Sequence, residues 1–597
     1  MPHEPQKLTG RVLVLGDDTR SFLTVVRSLG RSGLEVHAAW CPSTSPSLRS
    51  RYLAKAHCLP AYTEQGEIWL DELLRLLRRE RFDLVIPIPD TAILPLQQRR
   101  CSIEKEARLC LINDHAFEVT FSKRKTYDLA VDLGIRVPRQ RAVRSGCELN
   151  SAAMELGFPL VVKPDSSFTT SNLWSRRQVV KLRNQSELDT AAAEMQARGE
   201  LIVQENFIGV GFGIGVLSSE GRILTAFQHQ RLHEPMLGGG SSYRRSVPLN
   251  PELFDAATKF IQALNYTGVA LLEFKLNPKT SDWILVEVNG RFWGSLPLAV
   301  AAGVDFPRFL YELLCEKRTC FPRSYRTDQF ARNWVADWHW LRHNVRADRS
   351  DPTLMTVPLR RLPGELLNLI RGHETSDTFC WDDPAPALAE VKQTAADKLL
   401  PRVRRLGIVR RRMEKDVRLA AAKATKILFL CNGNVGRSPF AELVLRKAMP
   451  DGTKIRSAGY HPYGGRSASE NGIRAAFELG IDLSRHRSRT LDARILCWAD
   501  LILLSDSECE RFLRSRFPDV LGKTHYLGAL DASGPLEIAD PVDGGIDEFR
   551  GVYRNILKLI ERLREELAPG PEDRDAPSSG TSHLPASRVG LEVDSNV

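Results

Sequence analysis

Short, wholly apolar runs alternate with stretches of three-to-four-residue rhythm along residues 10–117: Val12 to Leu15, Ser21 to Ser32, Glu35 to Ala39, Ile68 to Arg79 and Asp83 to Pro87. A run that is apolar at every position suits a strand buried on both faces, and the interleaved rhythm suits helices that cover it. The segment therefore predicts a βαβ domain with a parallel sheet. Across 118–330 the runs lengthen and pair in hairpin fashion, as in Phe158 to Lys163, Leu201 to Gln204 and Val269 to Asn289, an α+β pattern. Residues 331–400 are mixed and rich in Trp and Pro, 401–424 form a basic stretch, and a fresh alternation of strand and helix fills 425–566. The tail, 567–597, is rich in Pro, Ser, Asp and Gly and holds too few apolar positions to fold alone, so disorder is expected there. The fold class read from this pattern is α/β and α+β, multidomain and without an internal repeat.

Composition adds limits. A chain of 597 residues is too long for one core. Its 43% hydrophobic and 26% charged content is that of a soluble globular chain, and no apolar run approaches the roughly 18 residues that span a bilayer. Met1 to Gly10 lacks the pattern of a secretory signal, so a cytoplasmic location is expected. The cysteines number 11, without a C-x-x-C pair, which predicts reduced thiols and no zinc site. The formal charge of +10 does not point to nucleic acid, because 401–424 alone holds nine Lys/Arg against Glu414 and Asp416, an excess of seven. Within that stretch Val403, Leu406, Val409, Met413 and Val417 recur at helical spacing. The stripe fits either a solvated helical linker or a weak contact with an anionic membrane surface. After the first strand, Gly16-Asp17-Asp18-Thr19 departs from G-x-G-x-x-G, so NAD is not predicted.

The strongest chemical signal is the apolar run Ile427 to Leu430 leading into Cys431-Asn432-Gly433-Asn434-Val435-Gly436-Arg437-Ser438-Pro439 and a helix-like Phe440 to Lys447. Five residues between Cys431 and Arg437 can wrap one loop with its N–H groups pointing inward. The following helix adds its positive end, and the result is a cradle for a dianion. The same dipoles stabilise a thiolate nucleophile at Cys431. Arg437 supplies a planar fork for two phosphate oxygens. Gly433 and Asn434 suit positive φ angles, Ser438 can donate to the sulfur, and Pro439 fits the first turn of a helix. Asp540, stiffened by Pro541 and followed by Gly544-Gly545, is the candidate general acid.

This stretch resembles the low-molecular-weight protein tyrosine phosphatase family, whose loop runs C-x-G-N-x-C-R-S-P and whose acid sits in a late D-P pair. Further landmarks follow in order: Arg456-Ser457-Ala458-Gly459, Gly480-Ile481-Asp482, His486-Arg487-Ser488-Arg489 and Asp500-Leu501-Ile502-Leu503. The resemblance implies a flavodoxin-like parallel α/β domain needing no cofactor. It gives the catalytic roles to Cys431, Arg437 and Asp540, and the phosphate to Asn432, Gly433, Asn434, Val435, Gly436 and Ser438. It implies as substrate a phosphotyrosine protein or a small phosphorylated compound. Three departures stand out. Gly436 replaces the second cysteine of many members, which removes the partner for a protective disulfide. Val542 stands where a tyrosine often follows the D-P pair, and Tyr460 and Tyr463 are the candidate aromatic walls. Arsenate reductase, which shares the loop, is the alternative; Ser505 takes roughly the place of its resolving thiol, leaving Cys497 and Cys509.

A second constellation lies in the predicted hairpin from Val269 to Arg291. With a turn near Thr280, Glu273 faces Glu287 and the strand period brings Asn289 to the same side. Two carboxylates and an amide oxygen suit Mg²⁺ or Mn²⁺ on a nucleotide, with Arg291 beside the terminal phosphate; a merely wet polar face is the other reading. Lys163 ends a strand, Lys123 precedes a helix, and Gln204-Glu205-Asn206 closes a strand whose backbone can read a base. Together these resemble the ATP-grasp superfamily, with residues 10–117 as its usual preATP-grasp partner and 118–330 as the ATP-grasp domain. The resemblance implies ATP as cofactor, Lys123 and Lys163 on its phosphates, Gln204 and Glu205 at the adenine hinge, and Glu273, Glu287 and Asn289 on Mg²⁺. It implies a ligase that activates a small carboxylate for attack by an amine or thiol. The loop Asp165 to Thr170 lacks the expected glycines, so a regulatory ATP-binding module without turnover is the competing expectation. The Gly238-Gly239-Gly240 run is read as shaping the acceptor site.

Overall fold

The computed structural model describes residues 7–567 other than 43, 61, 63–66, 171–172, 174–175, 178, 190–199, 236–238, 350, 352–353, 355, 450–452, 462–463 and 542–544. The expected disordered tail beyond Leu567, and with it Tyr463, Gly238, Val542 and Gly544, lies outside the described residues.

Four parallel strands build the first sheet, in the order Lys55–Ala56, Glu35–Ala39, Arg11–Leu15, Leu84–Pro87. Val12 to Leu15 are fully buried because both faces are covered. Val12 and Val14 pack with Phe22, Val25 and Leu29, whereas Leu13 and Leu15 pack with Trp69, Leu73 and Leu77. A small antiparallel sheet follows, ordered Gln140–Val143, Leu201–Glu205, Leu160–Pro164, Val180–Leu182.

The largest sheet has seven strands, ordered Trp283–Asn289, Gly268–Leu276, Val210–Ser219, Arg222–His233, Tyr243–Val247, Phe330–Arg332, Glu374–Ser376. Its last two strands come from the segment read as a mixed extension, so that segment continues the sheet. Leu217, Phe227 and Leu271 of this sheet share one hydrophobic cluster with Val12, Val14 and Phe22 of the first unit.

Two helices, Ala385–Val403 and Gly407–Ala421, occupy the basic stretch and its approach. Their stripe is only partly free: Val403 and Leu406 are exposed, whereas Val417 and Ala421 are buried in the core that contains Ile427, Phe440 and Tyr553. Arg410 is buried as well and donates through Nη2 to the carbonyls of Gly528, Asp531 and Gly534 at 3.0, 2.7 and 3.0 Å. The second helix is thus packed onto the C-terminal unit.

That unit is a parallel sheet ordered Lys454–Gly459, Lys426–Cys431, Leu501–Leu504, Thr524–Tyr526. Ile427 and Phe429 face one core and Leu428 and Leu430 the other, the arrangement expected of an apolar run covered on both sides. Among the described residues no helix is long and apolar enough to cross a membrane.

Candidate functional site

The loop from Asn432 to Gly436 leaves the carboxyl end of a central strand and enters the helix Arg437–Ala448, the edge where open α/β sheets place ligands. Its left-handed turn falls on Asn434, with φ of 51°; Gly433 is not among the residues of positive φ, and Gly436 has φ of −139°. Asn434 is fully buried and its amide is fully engaged. Nδ2 donates to Ser438 Oγ at 2.9 Å and Ser457 Oγ at 2.8 Å, and Oδ1 accepts from the Arg489 N–H at 2.7 Å. The glycines at this loop serve close approach. A Cβ on Gly459 would lie 2.5 Å from Asn432 O, and one on Gly433 3.0 Å from Arg466 Nη2, which donates to Gly433 O at 2.7 Å.

Cys431 Sγ receives the Asn434 N–H at 3.2 Å and lies 3.0 Å from Ser438 Oγ, so two dipoles meet the sulfur. Arg437 is 3% exposed and held at both ends of its fork. Nη1 donates to Asp506 Oδ2 at 2.6 Å and Ile538 O at 2.9 Å, and Nη2 to Asp540 Oδ2 at 2.5 Å. Asp540 has a 41% exposed side chain and so stands at the mouth. The structure therefore brings together Cys431, Ser438, Arg437 and Asp540 around the loop.

Several contributors were given no role by motif reading. Asp506 caps the helix Ser507–Arg516 by accepting from the Cys509 N–H at 2.9 Å while it anchors Arg437. A strand end followed by Ser505-Asp506-Ser507-Glu508 is a capping signal that could have found it. His486 Nε2 is 2.7 Å from Asn434 O, and burial lowers the His486 pKa, leaving a neutral ring there. Tyr553 stacks on Phe440 with ring centroids 3.9 Å apart, and its hydroxyl lies 3.8 Å from where a Cβ on Gly436 would stand.

Tyr460, expected as an aromatic wall, stacks on Phe512 at 4.7 Å within the second core. Cys509 is fully buried against Leu430 O, with its thiol pushed well up by burial, and Cys497 is exposed on another helix. Neither is presented to Cys431 as an exposed resolving thiol.

In the larger sheet Glu273 lies directly opposite Glu287, with a bulge immediately after it. Asn289 Nδ2 donates to Glu273 Oε1 at 3.3 Å, and Arg231 Nη2 to Glu273 Oε2 at 2.5 Å. Burial raises the Glu273 pKa, Arg231 opposes this, and the Glu287 carboxylate adds to it. A carboxylate pair under that tension is matched to a cation. Among the described residues no group of three or more His, Cys, Asp or Glu converges, so a metal here would rest on Glu273, Glu287, Asn289 and phosphate oxygens.

Across a cleft lined by Asp90, Lys123, Tyr127, Ser166, Ser167, Glu287 and Asn289, Lys123 Nζ donates to Ser167 Oγ at 3.3 Å and lies 4.0 Å from Glu287. Burial, with Lys163 nearby, lowers the Lys123 pKa against the pull of Glu287. Lys163 Nζ donates to Tyr127 OH at 3.1 Å. These cations and carboxylates fit a nucleotide with its divalent ion. Arg291 pairs with Asp90, which ties this sheet to the N-terminal unit.

At the expected adenine hinge both side chains have partners within the small sheet and its approach. Gln204 is 1% exposed with Nε2 on Gln140 Oε1 at 2.7 Å. Glu205 accepts from Arg139 Nε at 2.7 Å, and its own N–H is bonded to the Arg139 carbonyl at 3.0 Å. Like Lys163, Glu273 and Arg291, neither residue is among those lining the cleft.

Comparison with known proteins agrees with both halves. Residues 426–571 match the family model described as low molecular weight phosphotyrosine protein phosphatase. Residues 197–334 match one described as ATP-grasp in the biosynthetic pathway with Ter operon. The protein-arginine-phosphatase of Geobacillus stearothermophilus is 34% identical over 142 residues, covering 24% of this chain and 95% of its own length. The low molecular weight protein-tyrosine-phosphatase Etp of Escherichia coli (strain K12) is 36% identical over 151 residues, covering 25% of this chain and 97% of its own. The D-aspartate ligase of Enterococcus faecium (strain Aus0004) is 21% identical over 346 residues, covering 54% of this chain and 81% of its own. The chain has an ATP-grasp domain in its N-terminal half and, through its C-terminal segment, belongs to the low molecular weight phosphotyrosine protein phosphatase family.

Proposed function

We propose that the protein is bifunctional, a cysteine-dependent phosphomonoesterase joined to an ATP-dependent carboxylate ligase. The convergence of Cys431 Sγ, the Arg437 fork and the Asp540 carboxyl at one loop carries the first half. In this reading the Cys431 thiolate attacks phosphorus in line, and the P–O bond to the leaving group breaks as Asp540 gives its proton to the departing oxygen. Arg437 holds two equatorial oxygens, which requires Asp540 to yield the Nη2 donor when substrate arrives. Water then attacks the cysteinyl phosphate, Asp540 takes its proton, and Ser438 stabilises the departing sulfur. The substrate is a phosphotyrosine protein or a small phosphorylated compound. Phosphate release from p-nitrophenyl phosphate and a phosphotyrosine peptide tests this.

For the ATP-grasp half the facing Glu273 and Glu287, with Lys123 4.0 Å from Glu287 and Lys163 on Tyr127 of the same cleft, support a ligase. ATP, with Mg²⁺ or Mn²⁺, supplies the phosphoryl group that activates a carboxylate. Glu273, Glu287 and Asn289 would hold the ion, and Lys123 and Lys163 would orient the phosphates. Acid-dependent ADP formation is expected, and Glu287→Ala should abolish it. The run Asp165 to Thr170, without a glycine, favours a second reading in which this half binds ATP but does not turn over; ATP binding with no acid-dependent ADP formation would select it.

A further inference from the structure

Largely buried arginines gather at one place beside the nucleotide site, where Arg231 already meets Glu273. The strand Val210–Ser219 carries Gly211, Gly213 and Gly215 at alternate positions, so one face of the sheet is bare there. A Cβ on Gly211 would lie 2.7 Å from Arg231 Cδ, on Gly213 2.3 Å from His229 Cε1, and on Gly215 2.3 Å from Trp293 Cζ2. The missing side chains are what admit His229, Arg231 and Trp293. On the other edge of the strand Arg222–His233, Arg231 lies directly opposite Arg244 of the strand Tyr243–Val247, a like-charge pairing that sheets disfavour. Arg20 enters from the N-terminal unit; its Nη2 donates to Ser241 O at 3.1 Å, and its Cζ is 3.0 Å from where a Cβ on Gly294 would be.

The carboxylates present do not use all of these donors. Asp377 pairs with Arg244 and lies 3.3 Å from Arg20 Nε, Glu273 takes Arg231 at 2.5 Å, and Glu234 lies 3.7 Å from Arg231 Nη1. Left buried without a hydrogen-bond partner among the described residues are Nε of Arg20, Arg231 and Arg244, both ring nitrogens of His229, the Ser241 hydroxyl and Trp293 Nε1, against one unpartnered acceptor, Asp377 Oδ2, which lies 3.3 Å from Arg20 Nε. Burial, reinforced by Arg231, Arg244 and Arg20, holds the His229 pKa well below its ordinary value, so the ring is neutral and offers one N–H. Orphaned donors of this number are costly in a native interior unless something accepts from them. Planar guanidinium forks select carboxylate or phosphate oxygens.

Position adds to chemistry. The register aligns His229 with Gly213, Gly213 with Glu273, and Glu273 with Glu287, one continuous row across the sheet. His229 is therefore two strand spacings, about 10 Å, from the Glu273 backbone, a distance a short bifunctional acid and its neighbouring nucleotide phosphate can bridge.

We infer that Arg20, Arg231, Arg244 and His229 form a binding site for a second oxyanion on the acid that the ATP-grasp half acts on, a further carboxylate or a phosphate ester. This rests on the ligase reading, and it narrows the substrate class from small carboxylates in general to those with two anionic ends.

The test is calorimetric titration of the full chain carrying Arg437→Met, so that the phosphatase loop does not contribute, with Mg²⁺ and a non-hydrolysable ATP analogue present. Succinate and inorganic phosphate are the probes. Saturable binding of one probe per chain is expected, weakened tenfold or more by Arg20→Gln and by Arg244→Met. Arg20 is partly exposed, so its variant keeps the test valid if Arg244→Met fails to fold. Preference for succinate identifies a carboxylate, and preference for phosphate a phosphate ester. No saturable binding of either, or binding indifferent to Arg20→Gln, overturns the inference. Acid-dependent ADP formation by the wild-type chain separates the two levels. Binding through Arg20 without ADP formation keeps the site and rejects the ligase. ADP formation driven equally by acetate and succinate, and unchanged by Arg20→Gln, keeps the ligase and rejects the site.

Discussion

Asn434 shows what a single side chain does in the phosphate loop. It occupies the left-handed region and bonds Ser438, Ser457 and the Arg489 backbone at once. Asn434→Ala loses those bonds and keeps the unfavourable φ, a cost of about 2–3 kcal/mol. Asn434→Gly should recover the backbone part only. Urea midpoints of phosphatase inactivation should therefore rank wild type above Asn434→Gly above Asn434→Ala. At Gly436 φ is ordinary and a Cβ would meet nothing nearer than Phe549 Cε1 at 3.7 Å, so a larger residue fits. Peroxide converts the Cys431 thiolate to a sulfenic acid, which in the wild type has no exposed thiol beside it. Inactivation should therefore persist after prolonged peroxide followed by dithiothreitol. Gly436→Cys should recover activity with dithiothreitol, because its thiol can condense with the sulfenic acid, releasing water and leaving a reducible disulfide. At this scale Cys431, Arg437 and Asp540 were legible, since a contiguous loop and a D-P pair carry their meaning in adjacent letters. The roles of Asp506 and His486 were not, because each acts by reaching the loop from another element, although His486 stood within a family landmark and Asp506 within a capping signal.

At the scale of elements, the helix Gly407–Ala421 departs most from a plain linker. Its apolar spacing was readable, but the surface that Val417 and Ala421 would meet was not, since that surface is assembled from strands and a helix far along the chain. Arg410→Met removes the donor from three carbonyls and should lower stability by about 2–3 kcal/mol. Thermal unfolding of the phosphatase half should register this while kcat/KM of the folded protein stays unchanged. Arg404, in the turn before this helix, pairs with Glu510 at 2.6 Å, and the Tyr526 hydroxyl donates to Glu510 Oε2 at 2.5 Å. Burial would raise the Glu510 pKa, but these hydrogen bonds hold it down to about 2 from an ordinary 4.5. Its contribution is therefore complete above the ordinary value and is lost as pH falls toward the folded one. Glu510→Gln should flatten that part of the acid limb of stability, followed by thermal midpoint between those two values. The strands Phe330–Arg332 and Glu374–Ser376 were not legible either, because three residues are too short to display an alternation.

At the scale of the molecule, the architecture of an N-terminal ATP-grasp half and a C-terminal phosphatase followed from two distant patterns, each complete within its own stretch. Contacts between stretches were hidden. Asp383 leads out of the large sheet yet accepts from Arg27 Nε at 2.9 Å and Ser50 Oγ at 2.7 Å in the N-terminal unit. Asp382 beside it takes Arg31 at 2.8 Å and the Tyr52 hydroxyl at 2.6 Å. The arginine cluster escaped sequence reading for the same reason, as its members come from three separate segments. The central claim remains that the loop at Cys431 is a phosphatase site, and phosphate release from p-nitrophenyl phosphate and a phosphotyrosine peptide tests it most directly. Active wild type, inactive Cys431→Ser and an Asp540→Ala rate lowered by about 10²–10⁴ are the predicted result. An inert wild type on both substrates, or a Cys431→Ser chain as active as wild type, would contradict it.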